Sequence, residues 1–228
     1  MLSLRIETVL KKIDNCGVLL DVGCDHAYLV CEAVKSGRAR RGIASDIRVG
    51  PLKAAEENIR RAGLSDKIDA RLGAGLSTVA PKEADIAVIA GMGGMMIEKI
   101  LKEGEDTARK MEKFILQPMN CITELRRFLF ENGYRIENET LAKEQDRIYT
   151  VMEVTNGSFK PYPKEIMFYT GDPFGFTETP KELVYEYLGR FSAKFAKIIR
   201  GIEKSTSKEG LSKYKELSEE LIWLRSEI

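Results

Sequence analysis

The stretch LLDVGCDHAYLV, residues 19–30, decides how this chain is read. It begins as a hydrophobic strand and turns at Gly23. It carries two carboxylates, Asp21 and Asp25, together with His26, the single histidine of the chain, and then enters a helix at once. A strand, a glycine and a helix in succession mark a ligand site, because the first N–H groups of a helix lack intrahelical partners and favour negative charge. The dinucleotide form of this loop uses three glycines so that a pyrophosphate can approach the backbone. Here one glycine stands between two carboxylates, which would repel a pyrophosphate and attract a cation.

S-adenosylmethionine meets that requirement. It has no phosphate, it carries a sulfonium and an ammonium, and a helix N-terminus can hold its carboxylate. Asp21 and Asp25 also read as a turn former and a helix N-cap.

Outward from this stretch, strands and helices alternate. Strands are expected over 18–23, 41–47, 68–73, 84–93 and 113–119, and helices over 3–14, 26–37, 50–64, 94–104 and 123–133. A strand pair over 134–144 and 147–155 closes the series. Apolar strands separated by helices predict an α/β fold, a mostly parallel sheet covered on both faces with an antiparallel hairpin at one edge. The segment 156–180 holds four of the seven prolines and reads as a linker or irregular crossover. Two helices follow, over about 180–204 and 208–228. Leu183, Tyr187, Phe191, Phe195, Ile198 and Ile202 share one face of the first. Tyr214, Leu217, Leu221, Leu224 and Ile228 alternate three and four apart in the second, which is coiled-coil spacing. The expected organisation is a ligand-binding domain over 1–156 and a linker with an antiparallel helical hairpin over 157–228.

A chain of 228 residues, 43% hydrophobic and 31% charged, with a net charge of +1, is an ordinary globular protein whose overall charge predicts no partner. Its apolar runs are shorter than the ~20 residues that span a bilayer, and residues 1–14 do not read as a secretory signal. A cytoplasmic monomer is expected. The four cysteines, Cys16, Cys24, Cys31 and Cys121, form no C-x-x-C pair, so buried thiols are expected and no metal site.

Ligands of such sheets bind at the carboxyl ends of the strands. Asp46, followed by Ile47, ends the second strand 23 residues after Gly23, the spacing at which an acidic residue holds ribose hydroxyls. It supports an adenosine ligand of either kind, and it also fits a capping role for the next helix. Gly73, Ala74 and Gly75 end the third strand, where small side chains let a flat ring lie on the backbone or simply make a turn. Ala90, Gly91, Met92, Gly93 and Gly94 end the fourth strand and enter a helix, leaving room for close approach. The Asn/Asp-Pro-Pro-aromatic loop usual in amino-directed nucleic-acid methyltransferases is absent here. Gln117 and Pro118 end the fifth strand. Arg190, Lys194, Lys197, Arg200 and Lys204 recur along the first C-terminal helix, and Arg38, Arg40 and Arg41 form a second basic cluster. Both read as phosphate contacts or as solvated faces.

DVGCDHAYL, IAGMGG and ILQPMN, in this order and followed by two C-terminal helices, resemble the bacterial tRNA (adenine-22-N1)-methyltransferases along essentially the whole chain. The resemblance implies a Rossmann-like class I methyltransferase with a C-terminal coiled coil. Such an enzyme transfers the methyl group of S-adenosylmethionine to N1 of an adenine in the D-loop region of tRNA. It implies that Asp21, Gly23, Asp25 and His26 form the first cofactor loop, that Asp46 with Ile47 holds the ribose, and that Gly73 to Gly75 lie by the cofactor adenine. Ala90 and Gly91 would touch the cofactor and Met92 the reacting centre, with Gly93, Gln117, Pro118 and Asn120 beside the acceptor. Asp25 and His26 are the expected catalytic pair and Tyr28 an expected stacking partner of the base, although His26 also fits a structural role and Tyr28 a core position. Arg190, Lys194, Lys197 and Arg200 would meet the RNA. The chain departs from the family in carrying Ala74 where an aspartate is usual, and Met119 between Pro118 and Asn120. Alternatives on the same sheet are a nicotinamide-dependent oxidoreductase, a methyltransferase for a small molecule or protein, and a non-catalytic RNA-binding module.

Overall fold

The computed structural model describes residues 3–157 and 164–228, so the middle of the expected linker lies outside the described residues. Helix α1 (Leu4–Lys11) precedes five strands, four of which are followed by an α-helix. These run β1 (Cys16–Val22), α2 (Tyr28–Lys35), β2 (Ala39–Asp46), α3 (Val49–Arg61), β3 (Ile68–Leu72), β4 (Ile86–Met92), α4 (Gly94–Glu103), the short α5 (Glu105–Ala108), β5 (Lys113–Pro118) and α6 (Ile122–Glu131). The hairpin β6 (Tyr134–Glu144) and β7 (Arg147–Asn156) follows, then α7 (Ile166–Thr170), α8 (Lys181–Lys204) and α9 (Leu211–Glu227).

The seven strands lie in the order β3-β2-β1-β4-β5-β7-β6. β1 to β5 are parallel, with β1 paired to β2 (Asp21 to Ala44) and to β4 (Asp21 to Val88). β7 runs antiparallel to both neighbours, so the last strand inserts between β5 and β6 and leaves β6 at the edge. Strand alternation divides the core between two faces. Leu20, Val22, Ala87, Ile89 and Leu116 pack under α4 and α6, whereas Leu19, Ile86, Val88 and Ile115 pack under α1, α2 and α3. Asp21 therefore stands on the α1–α3 face, at the rim of that layer.

Chain order reverses between β1 and β4, because the connection after β3 returns across the sheet. This is the switch point at which α/β sheets open a crevice.

α8 and α9 form an antiparallel pair. Lys181 Nζ donates to the Ile228 carbonyl at 3.0 Å at one end, and Lys215 pairs with Glu203 at the other. Leu217, Leu221 and Leu224 of α9 are buried with Leu188 and Phe195 of α8, as the three–four spacing predicts. The pair is not free-standing. Leu141 of β6 and Ile166 and Met167 of α7 belong to the same cluster. No helix among the described residues is long and apolar enough to cross a membrane.

Candidate active site

The loop after β1 is held in an uncommon backbone conformation. Gly23, Asp25 and Ala27 all have positive φ, at 70°, 50° and 56°. For the two non-glycine residues this costs about 1–3 kcal/mol each, which the surroundings must offset. The N–H groups of Gly23 and Cys24 both donate to the Ser45 carbonyl of β2, at 2.8 and 2.9 Å, and fix the loop to the neighbouring strand. As a result Asp25 and His26 turn outward, 68% and 47% exposed, with Asp25 Oδ1 and His26 Nε2 3.8 Å apart. Ala27, not Asp25, occupies the N-cap position of α2, so Asp25 is not the cap. The rings of His26 and Tyr28 lie 5.6 Å apart and tilted by 32°. Tyr28 is 58% exposed, so it is a rim residue and not part of the core.

Asp21 is 5% exposed. Burial pushes its carboxyl up to about 7. A backbone hydrogen bond with Val30, in the first turn of α2, pulls the other way, and the charge of Asp46 raises it further. Among the described residues no cation offsets this burial. Asp46, equally buried, accepts from the Arg48 N–H at 2.8 Å and so shapes the turn into α3, while Arg48 Nε stands 3.5 Å away. The buried thiol of Cys24 is pushed up to about 12 by desolvation and by these carboxylates, and stays protonated.

The loop after β4 is the second wall. Gly91 has φ 76°, and its N–H donates to Gln117 Oε1 at 3.1 Å. The Gly94 N–H donates to the Asn120 carbonyl at 3.0 Å, and the Met119 N–H to the Met92 carbonyl at 2.8 Å. A Cβ on Gly93 would lie 2.8 Å from Asn120 Oδ1, and one on Gly94 would collide with the Cys121 carbonyl oxygen. The loops after β4 and β5 are thus in direct backbone contact. Met92 reaches across the sheet edge, since its Cε occupies the place where a Cβ on Gly23 would stand.

Together these loops enclose a cavity of about 900 Å³ over the ends of β1 to β4. Asp21, Gly23, Asp25, His26 and Tyr28 line it from the first loop, Asp46 and Ile47 from the second, Gly73, Ala74 and Gly75 from the third, and Ala90, Gly91 and Met92 from the fourth. Gly93, Gln117, Pro118 and Asn120 do not line it. Gln117 and Pro118 are buried beneath the floor, and Gln117, 0% exposed, braces Gly91 where an acceptor contact was expected. Arg190, Lys194, Lys197 and Arg200 are exposed on α8, away from the lining. Arg190 is engaged by Glu186 at 2.8 Å and by the Asp146 carbonyl at the β6–β7 turn. Sequence reasoning missed Ser3, Arg5 and Ile6 of the N-terminal segment and Met96, Lys99 and Glu103 of α4, which also line the cavity. The helical spacing of α4 puts Met96, Lys99 and Glu103 on one face, a signal that was available.

Comparison with known proteins agrees with this geometry. Residues 2–152 match a family model described as a methyltransferase domain. Over 156 residues the chain is 38% identical to the tRNA (adenine(22)-N(1))-methyltransferase of Bacillus subtilis, covering 68% of this chain and 66% of that relative, just under two thirds of its length. A Streptococcus pneumoniae structure, designated a candidate tRNA (m1A22) methyltransferase, superposes with a TM-score of 0.82 at 30% identity and covers 99% of both chains. The chain belongs to the tRNA (adenine-22-N1)-methyltransferase family. The family likeness extends through α8 and α9, beyond the region that the methyltransferase-domain model covers. The structure of the S. pneumoniae protein in complex with S-adenosyl-L-methionine superposes equally well, with a TM-score of 0.82 at 29% identity over 98% of this chain and 99% of that one.

Proposed function

We propose that this protein transfers a methyl group from S-adenosylmethionine to N1 of adenine 22 in the D-loop region of tRNA. The observation that carries the reading is Asp21, a buried carboxylate at the rim of the switch-point cavity that no cation among the described residues neutralises. A cationic ligand supplies the missing partner, and a pyrophosphate would worsen the imbalance. Together with the permissive backbone at Gly23, Gly75 and Gly91, this donor set suits the cofactor.

When bound, S-adenosylmethionine supplies an electrophilic methyl group. The residues of this chain do the rest. Asp21 holds the ammonium, Asp46 accepts from the ribose hydroxyls, and Ile47 with Gly73 to Gly75 encloses the adenine. Ala74 leaves that adenine without a carboxylate partner at this position. Ala90 to Met92 form the floor.

Adenine N1 carries an in-plane lone pair and needs no base to deprotonate it, so positioning supplies most of the rate. Asp25 faces the positive charge that develops on the ring and stabilises it. His26 hydrogen-bonds the base and Tyr28 stacks on it, both from the exposed rim. N1 is a Watson–Crick atom, so the acceptor must be unpaired or extruded. Residues 1–156 carry this chemistry. Residues 157–228 present Arg190, Lys194, Lys197 and Arg200 to the RNA backbone, with Asn120 and Gly93 at the passage between floor and acceptor. The enzyme acts as a monomer in the cytoplasm, where its substrate resides.

The test is to incubate the purified protein with S-adenosylmethionine and an unmodified tRNA transcript, digest the RNA, and look for 1-methyladenosine by mass spectrometry. Its appearance is the expected result. Tight cofactor binding without methylated RNA would favour a small-molecule or protein acceptor on the same fold.

A further inference from the structure

Asn58 of α3 does not line the cavity, yet its side chain reaches the loop that does. It stands at the border of the buried stripe of the helix, beside Ile59 and one turn after Ala55. From there Nδ2 donates to the His26 carbonyl at 3.0 Å. A carbonyl oxygen only accepts, so the amide nitrogen and not the amide oxygen must face the loop.

The loop after β1 has two halves that are held differently. Gly23 and Cys24 are bound to the Ser45 carbonyl of β2 through both of their N–H groups. The half beyond them contains the two non-glycine residues with positive φ, Asp25 and Ala27. There the Ala27 N–H returns to the Cys24 carbonyl at 2.7 Å, which closes a turn but ties the loop only to itself. Helix α2 does not take the His26 carbonyl. The Val30 N–H, which a longer helix would turn toward it, is directed to the Asp21 carboxyl instead. Among the described residues, Asn58 therefore supplies the one hydrogen bond from another element to Asp25 or His26.

That bond sits behind the acceptor rim. Asp25 and His26 are adjacent there, and the His26 ring lies 5.6 Å from the ring of Tyr28. All three side chains are exposed, so packing does not fix their direction. A backbone held at positive φ relaxes unless its surroundings over-determine it. The geometry points to Asn58 as a positioning residue for the acceptor side of the reaction. By holding the His26 carbonyl it keeps Asp25, His26 and Tyr28 aimed at the incoming adenine, while Ser45 holds the cofactor half of the loop independently. This rests on the reaction proposed above.

The single histidine makes the loop directly observable, because in untagged protein His26 gives the only imidazole signals of a proton–carbon NMR spectrum. Asn58→Ala should shift or broaden those signals. It should lower the single-turnover rate of adenine methylation by about tenfold, the scale of one hydrogen bond. S-adenosylhomocysteine affinity, read by calorimetry, should stay within about twofold. Asn58→Asp sets a carboxylate against a carbonyl oxygen and should lower the rate further, by about 10- to 100-fold. Asn58→Gln keeps the donor and should recover part of the rate. An equal loss of rate and of S-adenosylhomocysteine affinity would make Asn58 a prop of the whole loop and overturn the inference. An unchanged rate in both Asn58→Ala and Asn58→Asp, or unchanged imidazole signals, would also overturn it. Wild-type protein that methylates no RNA would overturn the proposed reaction and with it the acceptor role of Asn58, whereas the imidazole signals read separately whether Asn58 holds the loop.

Discussion

Asp21 would meet opposite demands in the free protein and in the proposed cofactor complex. Its carboxyl is pushed up to about 7 by burial, so in the folded chain it binds a proton that the unfolded chain has already released above about pH 4. Stability therefore falls as pH rises from about 4 to about 7, and the loss is complete above that range. Asp21→Asn removes the buried charge. It should raise the melting temperature of the ligand-free protein more at about pH 8 than at about pH 5, by up to about 4 kcal/mol of stability, while weakening S-adenosylhomocysteine binding. Lower stability at both pH values would show that the carboxylate is compensated. Asp25 is the contrasting case, exposed and lacking a buried partner. Asp25→Ala should reduce methyl transfer by about 100-fold in single-turnover assays, with a melting temperature within a few degrees of wild type. Normal turnover would remove Asp25 from the reaction.

The chemical character of Asp21, Gly23 and Asp46 was legible in the sequence, because local spacing alone places them at strand ends. The outward turn of Asp25 and His26 was not, since it depends on Ser45 of another strand capturing two loop N–H groups. Arg5 was invisible for the same reason at longer range. Its partner Gln117 lies 112 residues away, and nothing in an amphipathic N-terminal helix announces a cavity residue.

At the scale of elements, the loops after β4 and β5 act as one unit. Gly94 is the joint, because only a residue without Cβ lets Cys121 and Asn120 pass so closely. Gly94→Ala should cost about 2–3 kcal/mol by overpacking backbone against backbone, read from urea denaturation, and should lower cofactor affinity because Gly91 and Met92 move with the joint. A stability change below about 0.5 kcal/mol would mean that the loops separate freely. Sequence periodicity identified every strand and every long helix here, since burial of one face imposes it. It also predicted the hairpin, but not that β7 would insert beside β5 and leave β6 outside. Strand order is decided by which edge covers Phe114 and Leu116, a tertiary matter. Within the expected irregular crossover, α7 escaped notice because five residues are too few to show a helical period.

At the scale of the whole molecule, one buried ion pair ties the methyltransferase sheet to the C-terminal helices. Arg126 of α6, fully buried, pairs with Glu139 of β6 at 2.9 Å, and also donates to the Phe168 and Tyr169 carbonyls of α7 and to the Tyr187 hydroxyl of α8. Glu139→Gln removes the carboxylate that pairs with that guanidinium in the core. Breaking one side of such a pair costs about 3–5 kcal/mol, so the melting temperature should fall by roughly 10 °C, with the C-terminal helices the first part cut in limited proteolysis. A variant as stable as wild type would mean that the other groups around Arg126 satisfy it without Glu139.

Which atom of which nucleotide receives the methyl group is the most direct test of the proposed reaction. A methyl on adenine N1 blocks the Watson–Crick edge and stops reverse transcriptase, so primer extension on a tRNA transcript treated with protein and S-adenosylmethionine reads the position directly. A cofactor-dependent stop at adenine 22 that disappears when that nucleotide is guanine is the expected result. Methylation without a stop, or a stop elsewhere that survives the replacement, would contradict it.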